Sequence, residues 1–191
     1  SEMCIRDRAY SLYKTYSLIS QYLSGTTASG LYEAKLAREE FQGEVHVFAP
    51  AFKDEDMEEL LEITDHIVFN SERQLRKHGA RCRETGVSVG LRLNPQCSTQ
   101  GDHALYDPCA PGSRFGVTLD KIPSDLLELV DGLHFHTLCE QGADDLETTL
   151  KAVEAQFGPY LHQVKWLNMG GGHHITSCLL YTSPSPRDQR G

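Results

Sequence analysis

The sequence contains no cluster of Lys and Arg, no long hydrophobic run and no CxxC pair. Phosphate backbones and anionic membrane surfaces are bound by a basic face that neutralises their charge. Here 18 basic residues stand against 27 acidic ones, a net charge of −9, so neither nucleic acid nor membrane is an expected partner. No apolar stretch approaches the roughly 20 residues of a spanning helix, and no signal peptide is visible. The expected location is the cytoplasm. The six cysteines, Cys4, Cys82, Cys97, Cys109, Cys139 and Cys178, lack the paired spacing of a structural zinc site. Without a secretory signal they read as free, reduced thiols. Repeats, low-complexity segments and linkers are also missing from the core, and 191 residues suit one domain.

What is there includes two unusual ends. SEMCIRD at the start is the translation of TCGGAGATGTGTATAAGAGACAG. The reverse complement of that string, read from its second base, gives CLLYTSP, which begins at Cys178. One short DNA element, once on each strand, accounts for both ends and resembles a transposase sequencing adapter. Residues 1–8 and 177–191 are therefore expected to be adapter-derived and to lie outside the fold, with residues 9–176 as the domain. Setting the flanks aside leaves the balance acidic.

Between them, short apolar segments alternate with helix-period segments. VHVFAP (Val45–Pro50), HIVFN (His66–Asn70), VSVGLRLNP (Val87–Pro95), DGLHFHTL (Asp131–Leu138) and VKWLNMGGG (Val164–Gly172) read as strands, with a short one at Gly25–Ala28. Helices are expected at Tyr16–Leu23, Leu31–Phe41, Asp54–Ile63 and Ser124–Val130, and from a Ser71 cap to Gly79. A last helix spans Ala143–Gly158. Repeated β–α alternation predicts an α/β fold around a parallel sheet, either a barrel or doubly wound. Gln96–Arg114 is an irregular stretch of the length that often carries function.

Polar and glycine residues gather where the strands end: Thr26 and Thr27, Asn70 and Ser71, Arg92 and Asn94, His136, and Gly170–Gly172. In a (β/α) barrel that rim holds the ligand. Gly170, Gly171 and Gly172 fit either a backbone phosphate cradle or a plain tight turn. His134 and His136, two apart and so on one face, fit hydrogen-bonded core residues, a contact to a cofactor ring, or metal ligands together with His173 and His174. Arg92, among apolar neighbours, calls for a carboxylate or a bound anion. Cys139 beside Glu140 fits inert packing or a thiol nucleophile.

LNMGGGHHIT (Leu167–Thr176), GLHFHTLCEQ (Gly132–Gln141), GTTASGLYEAKLA (Gly25–Ala37), HIVFNS, GLRLNP and YDPCAPGSRFGV (Tyr106–Val117) occur in one order over essentially the whole core. Together they resemble the carboxynorspermidine (carboxyspermidine) decarboxylases, which depend on pyridoxal 5′-phosphate (PLP) and belong to the alanine racemase-like, ornithine/diaminopimelate decarboxylase superfamily. The resemblance implies a partial PLP-binding (β/α)8 TIM-type barrel, with the C-terminal β domain outside this chain and a homodimer in the full-length family. It implies that His136 stacks on the cofactor ring and that Gly170, Gly171 and Gly172 hold the phosphate. Arg92 would meet the ring oxygen, and Arg114 would lie near the substrate, a carboxylated polyamine. Cys139 occupies the place of a phosphate-binding serine, a departure from the family's pattern. The Schiff-base lysine of such enzymes would fall at position 8, where an adapter ending in AG converts a lysine codon to Arg8. Arginine stays protonated and is a poor nucleophile, so the chain as written is expected to be inactive. Other readings are a diaminopimelate- or ornithine-type decarboxylase of the same fold, or a non-catalytic PLP-binding barrel protein.

Overall fold

A computed structural model describes residues 10–101 and 107–172, together with the backbone of residues 4–6. Seven strands lie in chain order in one sheet: β1 (Cys4–Arg6), β2 (Gly25–Ala28), β3 (Glu44–Phe48), β4 (His66–Phe69), β5 (Ser88–Arg92), β6 (Gly132–His134) and β7 (Trp166–Asn168). All six pairings are parallel. The helices are α1 (Tyr16–Ile19), α2 (Leu31–Glu40), α3 (Asp54–Ile63), α4 (Glu72–Thr85), α5 (Leu126–Leu129) and α6 (Ala143–Leu161). This is a partial (β/α)8 barrel, and the choice between barrel and doubly wound sheet resolves to the barrel.

Alternation along the strands separates the two faces. Val45, Val47, Ile67, Phe69, Val89, Leu91, Leu133 and Phe135 point outward, and every one is almost wholly buried in one cluster with the helices. Met57, Leu60 and Leu61 of α3, Leu75 and Cys82 of α4, and Val153 and Phe157 of α6 meet them there. At roughly 1.5–3 kcal/mol per large side chain, this face dominates the stability. Two aspartates tie down the strand entrances. Asp65, just before β4, accepts the Val45 N–H at 2.8 Å, and Asp131, just before β6, accepts that of Val89 at 3.1 Å.

Several boundaries differ from expectation. The α4 helix does not close on Gly79; it runs on because Leu75, Gly79 and Cys82 are buried on one stripe, and it ends at Gly86, whose φ of 79° suits the left-handed cap. Ser71 does cap it, accepting from the Gln74 N–H at 3.4 Å. The α6 helix passes Gly158 and Pro159 because Tyr160 and Leu161 still pack on the core. Around Tyr16 only one α-helical turn forms, following a 3-10 turn at Tyr13–Thr15. The α5 turn is likewise shorter than expected and lacks a side-chain cap. Cys4–Arg6, expected outside the fold, pair with β2; backbone N–H and C=O groups suffice to extend a parallel edge whatever the side chains.

Candidate active site

The interior face changes character toward the strand C-termini, where Phe48, Arg92, His134 and His136 converge. Arg92 is only 4% exposed. Its guanidinium lies between two aromatic rings, 4.9 Å from the Phe48 centroid and 4.8 Å from that of Phe115. It donates through Nη2 to the His136 carbonyl at 2.7 Å. Among the described residues no carboxylate pairs with it, so that alternative is not realised. The Cys109 thiol acts on it electrostatically, but burial pushes the thiol up to about 11, so it is neutral at ordinary pH. Burial draws Arg92 down to about 10, which leaves it protonated at pH 7. A guanidinium has five N–H donors, and a buried cation without a counter-ion is costly unless an anion arrives.

His136 is held from two sides. Besides the bond from Arg92 to its carbonyl, its Nδ1 accepts the Gly171 N–H at 3.0 Å. Nδ1 is then the lone-pair nitrogen, and the neutral ring carries its proton on Nε2. The His134 ring lies 6.2 Å away at an interplanar angle of 13°, and 4.9 Å from Phe48. Burial first, then Arg92 and His136, lower its pKa to about 3. Neither His134 nitrogen makes a hydrogen bond of ordinary geometry, although Asn168 is close enough to favour the charged form slightly. His134 is a neutral spacer beneath His136.

The glycine turn serves packing first. Gly170 and Gly172 have φ of 70° and 85°. A Cβ on Gly170 would sit 2.5 Å from the Phe135 oxygen and 2.6 Å from His136 Nδ1, and one on Gly172 would overlap the Leu138 carbonyl. The Gly170 N–H donates to Asn168 Oδ1 at 2.8 Å and that of Gly171 to His136. Two of the three amides are therefore engaged within the chain, and a phosphate could recruit them only by displacing those bonds. Gly171 is less constrained, since among the described residues a Cβ there would meet His136 Cε1 at an ordinary contact distance of 3.8 Å.

The irregular stretch forms the wall over Arg92. Asn70 Nδ2 donates to the Arg114 carbonyl at 2.8 Å while its Oδ1 accepts the Gly116 N–H at 2.9 Å. Asn94 Nδ2 donates to Phe115 O at 3.0 Å and Pro108 O at 3.2 Å. Arg114 is thus anchored by its backbone at the rim, with its side chain exposed. Gln100 and Gln141 bond each other at 2.8 Å and tie Thr99 and Thr137 to the same end.

Not every expected residue joins this site. Thr26 turns away from the interior, buried with its hydroxyl toward the Glu44 carbonyl. Cys139 is exposed. Arg8, His173 and His174 lie outside the described residues. Among the described residues the metal alternative around His134 and His136 gathers no carboxylate or thiolate, and the potential ligands that converge are Glu44, His46 and His66. Sequence inspection missed Phe48, Phe115 and Asn168. Phe48 stands two residues beyond His46, and Asn168 two before Gly170, so period-two spacing already put each on the interior face.

No protein-family model matches the chain. It is 40% identical over 169 residues to the carboxynorspermidine/carboxyspermidine decarboxylase of Campylobacter jejuni, covering 88% of this chain and 44% of that protein. It is also 40% identical over 177 residues to the carboxyaminopropylagmatine decarboxylase of a Synechocystis strain, covering 92% of this chain and 45% of that one. The crystal structure of C. jejuni carboxynorspermidine decarboxylase complexed with norspermidine superposes with a TM-score of 0.83 at 36% identity, over 93% of this chain and 45% of that one. The chain is a relative of the carboxynorspermidine decarboxylases. It spans less than half the length of the curated relatives it matches. The similarity to the carboxynorspermidine decarboxylases extends over most of this chain.

Proposed function

We propose that this chain is barrel sequence of a PLP-dependent carboxy-lyase of polyamine biosynthesis, whose full-length form releases CO2 from carboxynorspermidine or carboxyspermidine to give norspermidine or spermidine. One observation carries the cofactor assignment: Arg92, a buried cation with unspent donors and no carboxylate partner among the described residues, lies directly beside His136. That donor set suits an anionic, planar ligand, with Arg92 toward a ring oxygen and His136 under the ring face. Gly170, Gly171 and Gly172 would bind the phosphate after giving up internal bonds, and Arg114 would face the substrate from the rim. When bound, PLP supplies an electron sink for the carbanion left by decarboxylation. The chain's own part is to orient the ring, through a His136 fixed in one tautomer, and to keep water from the Arg92 face with Phe48 and Phe115. A full-length homodimer in the cytoplasm completes this reading. So does an adapter origin for residues 1–8 and 177–191, with Arg8 marking the cofactor-bearing lysine.

The equal identity to a carboxyaminopropylagmatine decarboxylase favours a second substrate with the same amino-acid head and a guanidine tail. The test is CO2 release by the full-length gene product, saturated with PLP, on all three carboxylated substrates. Turnover on carboxynorspermidine or carboxyspermidine supports the first reading, and turnover confined to the agmatine derivative supports the second. No turnover on any of them overturns both. Sequencing the gene across position 8 tests the flanks, since any codon but lysine there removes the adapter junction.

A further inference from the structure

We infer that the opposite end of the barrel interior holds a divalent transition-metal site built from Glu44, His46 and His66. The backbone alone brings these residues together. Glu44 and His46 are two apart on β3 and share its inward face, and His66 is the direct register partner of His46 on β4. Glu44 Oε2 lies 3.0 Å from His46 Nε2 and 3.9 Å from His66 Nε2. One donor atom from each of the three residues falls within 4.8 Å of the other two. Ligands bound tetrahedrally to zinc at about 2.1 Å stand roughly 3.4 Å apart, so the observed separations straddle the required one. Two imidazoles and a carboxylate make up a donor set that suits zinc, nickel, copper or iron rather than magnesium or calcium.

The surroundings favour a seated ion over a surface encounter. The two histidine rings stack at 4.3 Å and 4°, and Trp166 meets His66 edge-on at 5.5 Å. Trp166 itself is fixed by its Nε1 bond to Ser88 Oγ at 2.9 Å and fills the space left by Gly90 and Gly132. The ligands are half-buried, with side-chain exposures of 19%, 21% and 43% for His46, His66 and Glu44, so an ion can reach them. Parallel rings do not aim their lone pairs at one point. Binding therefore requires each imidazole to turn about χ2, a soft torsion, and replaces the stack with coordination. Three protein ligands leave a fourth position for water. Glu44 is four residues, about 13 Å of strand, from Phe48, and His46 is two, about 7 Å, so the site lies one layer or more below the mouth.

The test is a zinc titration of the metal-free full-length gene product by calorimetry, with cobalt absorbance as a second readout of coordination. One ion per chain is expected, with a four-coordinate cobalt spectrum. Glu44→Gln, His46→Asn and His66→Asn should each weaken zinc at least tenfold, while His162→Asn, an exposed histidine elsewhere, should not. Glu44→Gln keeps a hydrogen-bonding group of the same size and decides the matter if the histidine variants lose the native circular dichroism. Absence of binding, or an affinity that Glu44→Gln leaves unchanged, overturns the site.

Discussion

The two faces of the β3–β7 sheet are built from the same strands and divide the work between them. Outward, β3 to β6 carry aliphatic or phenyl side chains sealed under the helices, and Leu167 of β7 packs half-buried against the same cluster. Inward, the same strands carry Glu44, His46, Phe48, His66, Ser88, Arg92, His134 and Asn168, most of them polar and several only half-buried. A one-residue shift in register would exchange the faces, so the dry outer face is what aims the polar inner one. Stability and chemistry are thus separable by position parity, and substitutions can test the separation.

The largest effect is expected on the outer face. Phe135→Ala removes a fully buried ring one residue from His136 and should cost about 3–5 kcal/mol, read as a shift of the urea midpoint. The same truncation at Phe48, on the half-buried inner face, should cost clearly less while uncovering one side of Arg92. Equal losses at both positions would break the comparison. Next comes Asn94→Ala, which strips the wall of its bonds to Phe115 and Pro108. A loss of about 1–3 kcal/mol is expected, with amide exchange quickened over residues 107–117 and unchanged in β4.

The outer face was legible in the sequence because period-two apolar runs between helix-period segments admit few arrangements. VHVF, HIVF and GLHF mark the strand starts to within a residue or two, and the ordered motifs point to the barrel. Ends of elements were harder. Gly79 looks like a stop signal by composition, and only the burial of Cys82 beyond it shows that the helix continues. Arg92 and His136 stand out by type and position, but their partners do not. An arginine in an apolar strand suggests a carboxylate or a bound anion; the structure adds a carbonyl and two rings, one from a loop 23 positions later. Cross-strand neighbours such as Glu44, His46 and His66 depend on register, which residue type does not disclose.

His134 lets pH sharpen the comparison. Its pKa in the folded chain is about 3, against roughly 6.5 unfolded. Between those values the unfolded chain binds the extra proton, so stability is full above about pH 6.5 and falls as the pH drops toward 3. The contribution from this one group should approach at most about 1.4 kcal/mol per pH unit. His134→Phe should flatten the stability profile between pH 6 and about 4. A profile as steep as that of the parent chain would place the acid sensitivity elsewhere.

The smallest effect concerns neither face. Ser71 caps α4 from the end of β4, and its bond to the Gln74 N–H is long, at 3.4 Å. Losses on replacing such caps with alanine run from about 0.5 to 2 kcal/mol, and the long bond places Ser71→Ala near the lower end. Gln74 also accepts the Asn70 N–H at 3.0 Å, and Asn70 holds the Arg114 and Gly116 backbone. Loosening the first turn of α4 should therefore reach the wall over Arg92 through Gln74. Amide exchange at Gly116 would report it: a faster rate in Ser71→Ala links the helix cap to the wall over Arg92, and an unchanged rate confines the cap to local stability.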